Sequence, residues 1–177
     1  MFPKAHAVAY VINAFRLAYF KVHRPGVYYT AQFSVEYTDF NIDVMIKGYN
    51  AVKEEMNKII DKGYDASNKE SNILECLRLA LEALARGIKF APIDINKSEA
   101  LNFVLSEDEK TLIPPFRTID GLGDVVAKNI VKEREKAPFL SIEDLQKRAK
   151  ISATLIEKMR IMGILDKMDE SSQLSLF

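Results

Sequence analysis

Apolar positions recur every three to four residues from the start of the chain, and this period predicts a helix over residues 4–23. Wound as a helix, Ala5, Val8, Ile12, Phe15 and Tyr19 share one side, while His6, Tyr10, Asn13, Leu17 and Lys21 form a narrower stripe. Pro3 suits a first turn, and Arg24-Pro25-Gly26 is a stop. A helix apolar on most sides is expected to be buried, with partners for its polar stripe. Residues 27–38 carry Val27, Tyr28, Tyr29, Phe33, Val35 and Tyr37 and fit a helix or a strand. Asp39 or Asn41 can cap a second helix running to about Lys62, with Gly63 as its stop. Met45, Ile46, Tyr49, Val52, Met56 and Ile59 or Ile60 give it an apolar face, which reads as core. Ser67-Asn68-Lys69-Glu70 has capping-box spacing and opens a third helix through Ile73, Leu74, Leu77, Leu81 and Leu84, closed by Gly87.

The period changes at residue 88. Ile88 to Asn96 is short and extended, and Pro92 places it at a sheet edge or in an irregular strand. Leu101–Leu105 and Thr111–Ile113 predict a small hairpin around a turn at Ser106–Lys110. Glu107-Asp108-Glu109 sits on that turn; consecutive acids point different ways and read as solvated rather than as a metal site. Pro114-Pro115 marks a boundary. Helical spacing returns at Val126, Ile130 and Val131, breaks at Lys136-Ala137-Pro138, restarts at Ser141-Ile142-Glu143-Asp144, and continues through Leu155, Ile156, Met159 and Met162. Lys167 to Ser172 is polar and is expected to be flexible.

Composition narrows the classes. The chain has 177 residues, 48% of them hydrophobic, which suits one domain or two small ones with a buried core. Formal net charge is +0, so any contact with nucleic acid must be local. Locally, Lys4, Arg16, Lys21 and Arg24 precede the first acid, Glu36, and give that end a charge of +4. The single cysteine, Cys76, lies among leucines and reads as core filler in a reducing, cytoplasmic setting. Lys4, Asn13, Arg16 and Lys21 interrupt the apolar start, so it does not read as a signal peptide, and no stretch is apolar enough to cross a membrane.

The chemistry with the clearest pattern is at Thr118 to Lys132, where Gly121-Leu122-Gly123 precedes an apolar-periodic segment. Glycine permits a tight bend that brings bare backbone N–H groups to the surface. The helix start behind it adds unpaired donors and a partial positive charge, which together hold a phosphate oxygen without reading a base. The stretch resembles the hairpin of a helix-hairpin-helix motif, with Gly121, Leu122, Gly123, Asp124, Val125 and Lys128 as the implied DNA-binding residues. The segment Ala149-Lys150-Ile151-Ser152 resembles the second hairpin of a tandem pair but has no glycine, leaving Lys150 and Ser152 as its candidates. Residues 115–166 carry ten Lys or Arg against eight Asp or Glu, a net of +2, so a modest and salt-dependent grip is expected from backbone donors with Arg117, Lys128, Lys132 and Lys150.

A second resemblance runs from Phe2-Pro3-Lys4-Ala5-His6-Ala7-Val8-Ala9-Tyr10 through Ala18-Tyr19-Phe20-Lys21 to Tyr28-Tyr29. It is similar to the end of the fingers domain of C-family bacterial replicative polymerases, of the PolC-type DNA polymerase III alpha-subunit kind. The resemblance implies that residues 27–38 continue helical and that Lys4, His6 and Tyr10 lie on the side of the incoming nucleotide. The final Gln173-Leu174-Ser175-Leu176-Phe177 resembles the motif that docks on the bacterial beta sliding clamp, with Leu176 and Phe177 as the anchor.

These readings give a mainly α chain. Residues 1–87 are read as C-terminal fingers helices, 88–114 as a small β connector, 115–166 as a tandem helix-hairpin-helix duplex-binding domain, and 167–177 as a tail with a clamp motif. The implied partners are primer-template duplex, the clamp and the rest of the alpha subunit, with a nucleoid-associated setting and no membrane. No catalytic or metal residue is assigned, because no pair of acids on a strand is present to hold the Mg²⁺ ions that the parent polymerase would use. This stretch alone is expected to be inactive. The alternative is a self-standing, non-enzymatic adaptor recruited to clamps. The first helix separates the two: wrapped by its own chain it favours the adaptor, bare on a flank it favours a larger enzyme.

Overall fold

A computed structural model describes residues 3–171, and it is mainly helical, with eight helices and a three-stranded sheet among them. Helix α1 spans Lys4–His23, the range its period predicts. It is not buried. Tyr10, Phe15, Tyr19 and Val22 are each more than half exposed, and no residue of α1 is buried. The expectation of a wrapped helix therefore fails: the apolar surface is there, but the described residues do not cover it. Among the described residues its C-terminal end is tied down. Lys21 pairs with Glu82 at 2.8 Å and sits 5.4 Å from the centre of the Tyr28 ring.

Pro25 both ends α1 and occupies the first turn of α2, Pro25–Val35, where its missing N–H costs nothing. Gly26 beside it is a matter of space, since a Cβ there would meet the Glu109 carbonyl oxygen at 2.2 Å. Arg24 fixes the same junction by an ion pair with Glu109 at 2.7 Å. The helix expected from Asn41 to Lys62 is two helices, α3 at Ile42–Lys47 and α4 at Tyr49–Lys62. Gly48, at φ 92°, breaks them apart in a conformation outside the helical range. Helix α5, Asn68–Ala85, starts with the expected capping box of Ser67 and Glu70. Cys76 lies fully buried on its inner face, where desolvation pushes the thiol up to about 12 and keeps it inert.

Strands β1 (Lys89–Phe90), β2 (Val104–Leu105) and β3 (Thr111–Ile113) form a sheet in the order β1-β3-β2. The first pairing is parallel, Phe90 opposite Leu112; the second is the expected antiparallel hairpin, Leu105 opposite Leu112. Its acidic turn is exposed but employed. Asp108 accepts N–H bonds from Lys110 and Thr111, both at 2.9 Å, and Glu109 takes Arg24. Phe33 of α2 packs on Phe90 and Phe103 with ring centres 5.3 and 5.5 Å away, which joins the helical half to the sheet. Truncating such a buried ring typically costs about 3–5 kcal/mol, so this aromatic cluster outweighs the exposed ion pairs around it.

The remaining helices are α6 (Asp124–Lys136), α7 (Ile142–Ala149) and α8 (Ala153–Ile161). They share the core through Ala127, Ile130, Leu145, Met159 and Leu165. Residues 167–171, read from composition as flexible, are held against α7. Ile142 and Glu143 donate N–H bonds to the Asp169 and Glu170 carbonyls at 2.9 and 3.2 Å. Among the described residues no helix is long and apolar enough to cross a membrane.

The α5 capping box yields a pH prediction. The Lys62 ammonium, and then the Ser67 amide and hydroxyl, hold the Glu70 carboxyl down at about 2. A lowered carboxyl stabilises the fold above its ordinary pKa of about 4.3 and loses that contribution as pH falls toward its folded value. A carboxyl-carbon NMR titration should therefore place the Glu70 midpoint near 2, and Ser67→Ala should raise it while costing about 1 kcal/mol of stability.

Candidate nucleic-acid interface

Two bends of the same design carry the candidate residues. In the first, a short 3-10 turn at Phe116–Thr118 leads into Ile119, whose side chain is 1% exposed. Leu122 is 5% exposed and donates its N–H to the Ile119 carbonyl at 2.9 Å. These two apolar anchors pull the ends of the bend inward, and Gly121, at φ 85°, supplies the left-handed residue that the turn requires. The result puts Gly123, Asp124 and Val125 on the surface, with Val125 73% exposed.

Gly123 is the N-cap of α6 and has no side chain to offer the helix. The first internal bond of α6 is from the Ala127 N–H to the Gly123 carbonyl at 3.1 Å. The N–H groups of Gly123, Asp124, Val125 and Val126 accordingly have no protein partner among the described residues. Its backbone, at φ −72° and ψ 157°, suits any residue, and a Cβ there would meet nothing within 4 Å. The fold does not demand glycine at 123. What glycine supplies is bare space in front of four unpaired donors, the condition for close approach of an anion.

The second bend shows the contrast. Lys150 takes the left-handed place, at φ 58°, although it carries a side chain; Ile151 is buried like Leu122; Ser152 stands where Gly123 does, as the N-cap of α8. Here the Ser152 hydroxyl accepts the Leu155 N–H at 3.3 Å, so part of the donor row is used internally. The two bends lie side by side, since a Cβ on Gly121 would touch Leu155 Cδ2 at 4.0 Å.

Three arginines and two lysines set this geometry. Arg148 donates to the Ala137 and Pro138 carbonyls at 2.8 and 3.1 Å and to the Glu133 carbonyl, and it stacks 4.6 Å from the Phe139 ring. It thereby caps the end of α6 and fixes the turn into α7. Arg134 reaches the Ile95 and Ser98 carbonyls at 2.9 and 2.6 Å and ties α6 to the loop after β1. Arg117 lies 3.9 Å from Asp124, so it is partly engaged with an acid of the site. Lys69 of α5 and Lys158 of α8 converge on Asp120, at 2.6 and 3.0 Å, and hold its carboxyl below the usual range.

The candidates thus separate. Gly121, Gly123, Asp124 and Val125 form one exposed rim, with Lys128 exposed a turn further along α6 and Lys150 and Ser152 exposed on the neighbouring bend. Leu122 takes a different part from the one its position suggests: its side chain is core and its N–H is already used, so it shapes the rim without being a donor. Lys4, His6 and Tyr10 ride on α1, which packs against α2; the His6 and Tyr10 rings meet edge to face at 4.6 Å. Gln173 to Phe177 lie outside the described residues. Sequence reasoning missed Lys69 and Lys158, which are 51 and 38 residues from Asp120 and share no local pattern with it. A cleft of about 600 Å³ lies elsewhere, between the loop at Pro92–Lys97 and the turn at Gly163–Met168; its lining carries Lys97 and Lys167 beside Asp94 and Asp166, so it has no excess of positive charge.

Residues 87–174 match the family model described as a helix-hairpin-helix motif. Over all 177 residues the chain is 52% identical to a DNA polymerase III PolC-type of Lacticaseibacillus paracasei, 53% to that of Lactococcus lactis and 52% to that of Bacillus subtilis. It spans only 11–12% of the length of these curated relatives.

The contrast between the bends gives a test. Gly123→Ser would hand α6 the cap that Ser152 gives α8, raising stability by a few tenths of a kcal/mol while blocking the donor row and weakening duplex binding. Gly121→Ala should instead destabilise by on the order of 1 kcal/mol, because its backbone is left-handed. Thermal melts and duplex titrations of both variants distinguish a ligand-facing glycine from a structural one.

Proposed function

We propose, for a chain that belongs to the PolC-type DNA polymerase III family, that its work is to hold the polymerase on DNA rather than to perform the chemistry. The first bend grips the sugar–phosphate backbone of duplex product, with the second bend beside it. The observation that carries this is the uncapped start of α6, four donors behind a glycine that the fold does not need. Such a site reads phosphate and not sequence, which suits an enzyme that must hold every sequence it makes.

The bare flank of α1 supports docking on the remainder of an alpha subunit. Large apolar side chains exposed along one helix mark an interaction surface. On that reading Lys4, His6 and Tyr10 line the side of the incoming nucleotide, as the fingers resemblance implies. The self-standing adaptor would have to leave this surface in water, and α1 argues against it. The terminal Gln173-Leu174-Ser175-Leu176-Phe177 docks on the beta clamp. Coupling a weak duplex grip to a clamp tether raises effective concentration and favours long synthesis without new chemistry. Among the described residues no three or more His, Cys, Asp or Glu side chains gather as a metal-holding group.

The test uses the full chain and a version ending at Ser175, each measured against mixed-sequence duplexes and immobilised clamp. Both should bind duplex without sequence preference, with affinity falling steeply between about 50 and 200 mM salt. Only the full chain should be retained by clamp. Sequence-selective or salt-insensitive binding would overturn the phosphate grip, and retention of the shortened chain would overturn the tail as the clamp site.

A further inference from the structure

Asp120 is the residue immediately before Gly121, and its carboxylate is held from two sides. Lys69 Nζ lies 2.6 Å from Oδ1, and Lys158 Nζ lies 3.0 Å from Oδ2 and 2.7 Å from the Asp120 carbonyl oxygen. Two ammonium groups on two oxygens of one anionic centre is also the arrangement by which lysines take a phosphate. We propose that Lys69 and Lys158 are a second phosphate-holding pair of the duplex interface, occupied in the DNA-free protein by Asp120 as an internal stand-in. This rests on the reading that the first bend grips duplex DNA.

Three observations support an exchange of partners over a purely structural tie. All three side chains are substantially exposed, at 56% for Lys69, 38% for Lys158 and 65% for Asp120. Exposed ion pairs contribute little to stability, so a polyanion can displace the carboxylate easily. Lys69 sits in the first turn of α5, where the helix dipole disfavours a cation and where Ser67 and Glu70 already supply the cap. It is therefore not placed for the helix that carries it. Finally, Lys158 keeps a bond to the Asp120 main chain, so the bend stays anchored when the carboxylate leaves. Because Lys69 belongs to α5 and Asp120 to the first bend, the exchange would also let duplex arrival reach the helical half of the chain.

Ion bookkeeping makes the idea testable by sign. Each lysine that takes a phosphate frees counterions from DNA, while the displaced Asp120 recruits a cation and offsets part of that release. In salt titrations with a mixed-sequence duplex, Lys69→Ala should weaken binding several-fold and reduce the log–log slope by about 0.9. Asp120→Asn should do the reverse, tightening binding several-fold and steepening the slope; Lys69→Arg should stay near the parent. If Lys69→Ala and Asp120→Asn move affinity in the same direction, or neither moves it, the pair is only structural and the inference fails. Thermal melts of each variant exclude misfolding as the cause. Gly123→Val run alongside separates the two readings: if it leaves duplex binding unchanged, the grip of the bend itself is wrong, whereas if it weakens binding while the lysine and aspartate variants shift together, only the exchange is wrong.

Discussion

The arrangement turns on an unpaid hydrogen-bonding debt at the start of α6. A backbone N–H that no protein group accepts must face water or a ligand, since burying it would cost the full desolvation of the group. Gly123 leaves four such donors together, and the dipole of α6 adds positive potential at the same point. Everything nearby keeps that row outward. Ile119 and Leu122 are drawn into the core, Gly121 turns left-handed between them, and the donors emerge beyond the bend.

The scaffold supports this with side chains that reach backbone rather than with charge density. Arg148 closes the end of α6 and Arg134, in its last turn, fastens that helix to the loop after β1, so the helix behind the bend is anchored at its far end. The second bend repeats the backbone path with Lys150 and Ser152 in place of glycines. Its serine satisfies its own helix, which makes it a sound packing partner and a poorer anion site. The near-zero net charge of the chain fits this economy: the binding potential is concentrated at a few oriented donors and cations, several of them balanced locally by Asp120 and Asp124.

Features set by neighbours in sequence were legible beforehand. The bounds of α1, the capping box at Ser67, the hairpin about Ser106–Lys110 and the bend at Gly121–Gly123 all follow from local period or turn chemistry. Features set by distant neighbours were not. The apolar period of α1 revealed a surface that wants burial, but not that the described residues would leave it bare. Gly48 sits between flanks that keep helical spacing, so the pattern hides a backbone that cannot follow it. The second bend was legible as the partner of the first, but not that Lys150 would take the left-handed place, since a lysine there carries no turn signal. Lys69 and Lys158 at Asp120 depend on three elements meeting in space, which no spacing encodes.

The most direct measurement is the response of individual amides to DNA, read by hydrogen exchange or by nitrogen–proton NMR shifts during a duplex titration. The account predicts that the N–H groups of Gly123, Asp124, Val125 and Val126 gain protection and shift first, while those of Leu122 and Ala127, already bonded within the protein, change least. A duplex that bound tightly while leaving those four amides unaltered would contradict it.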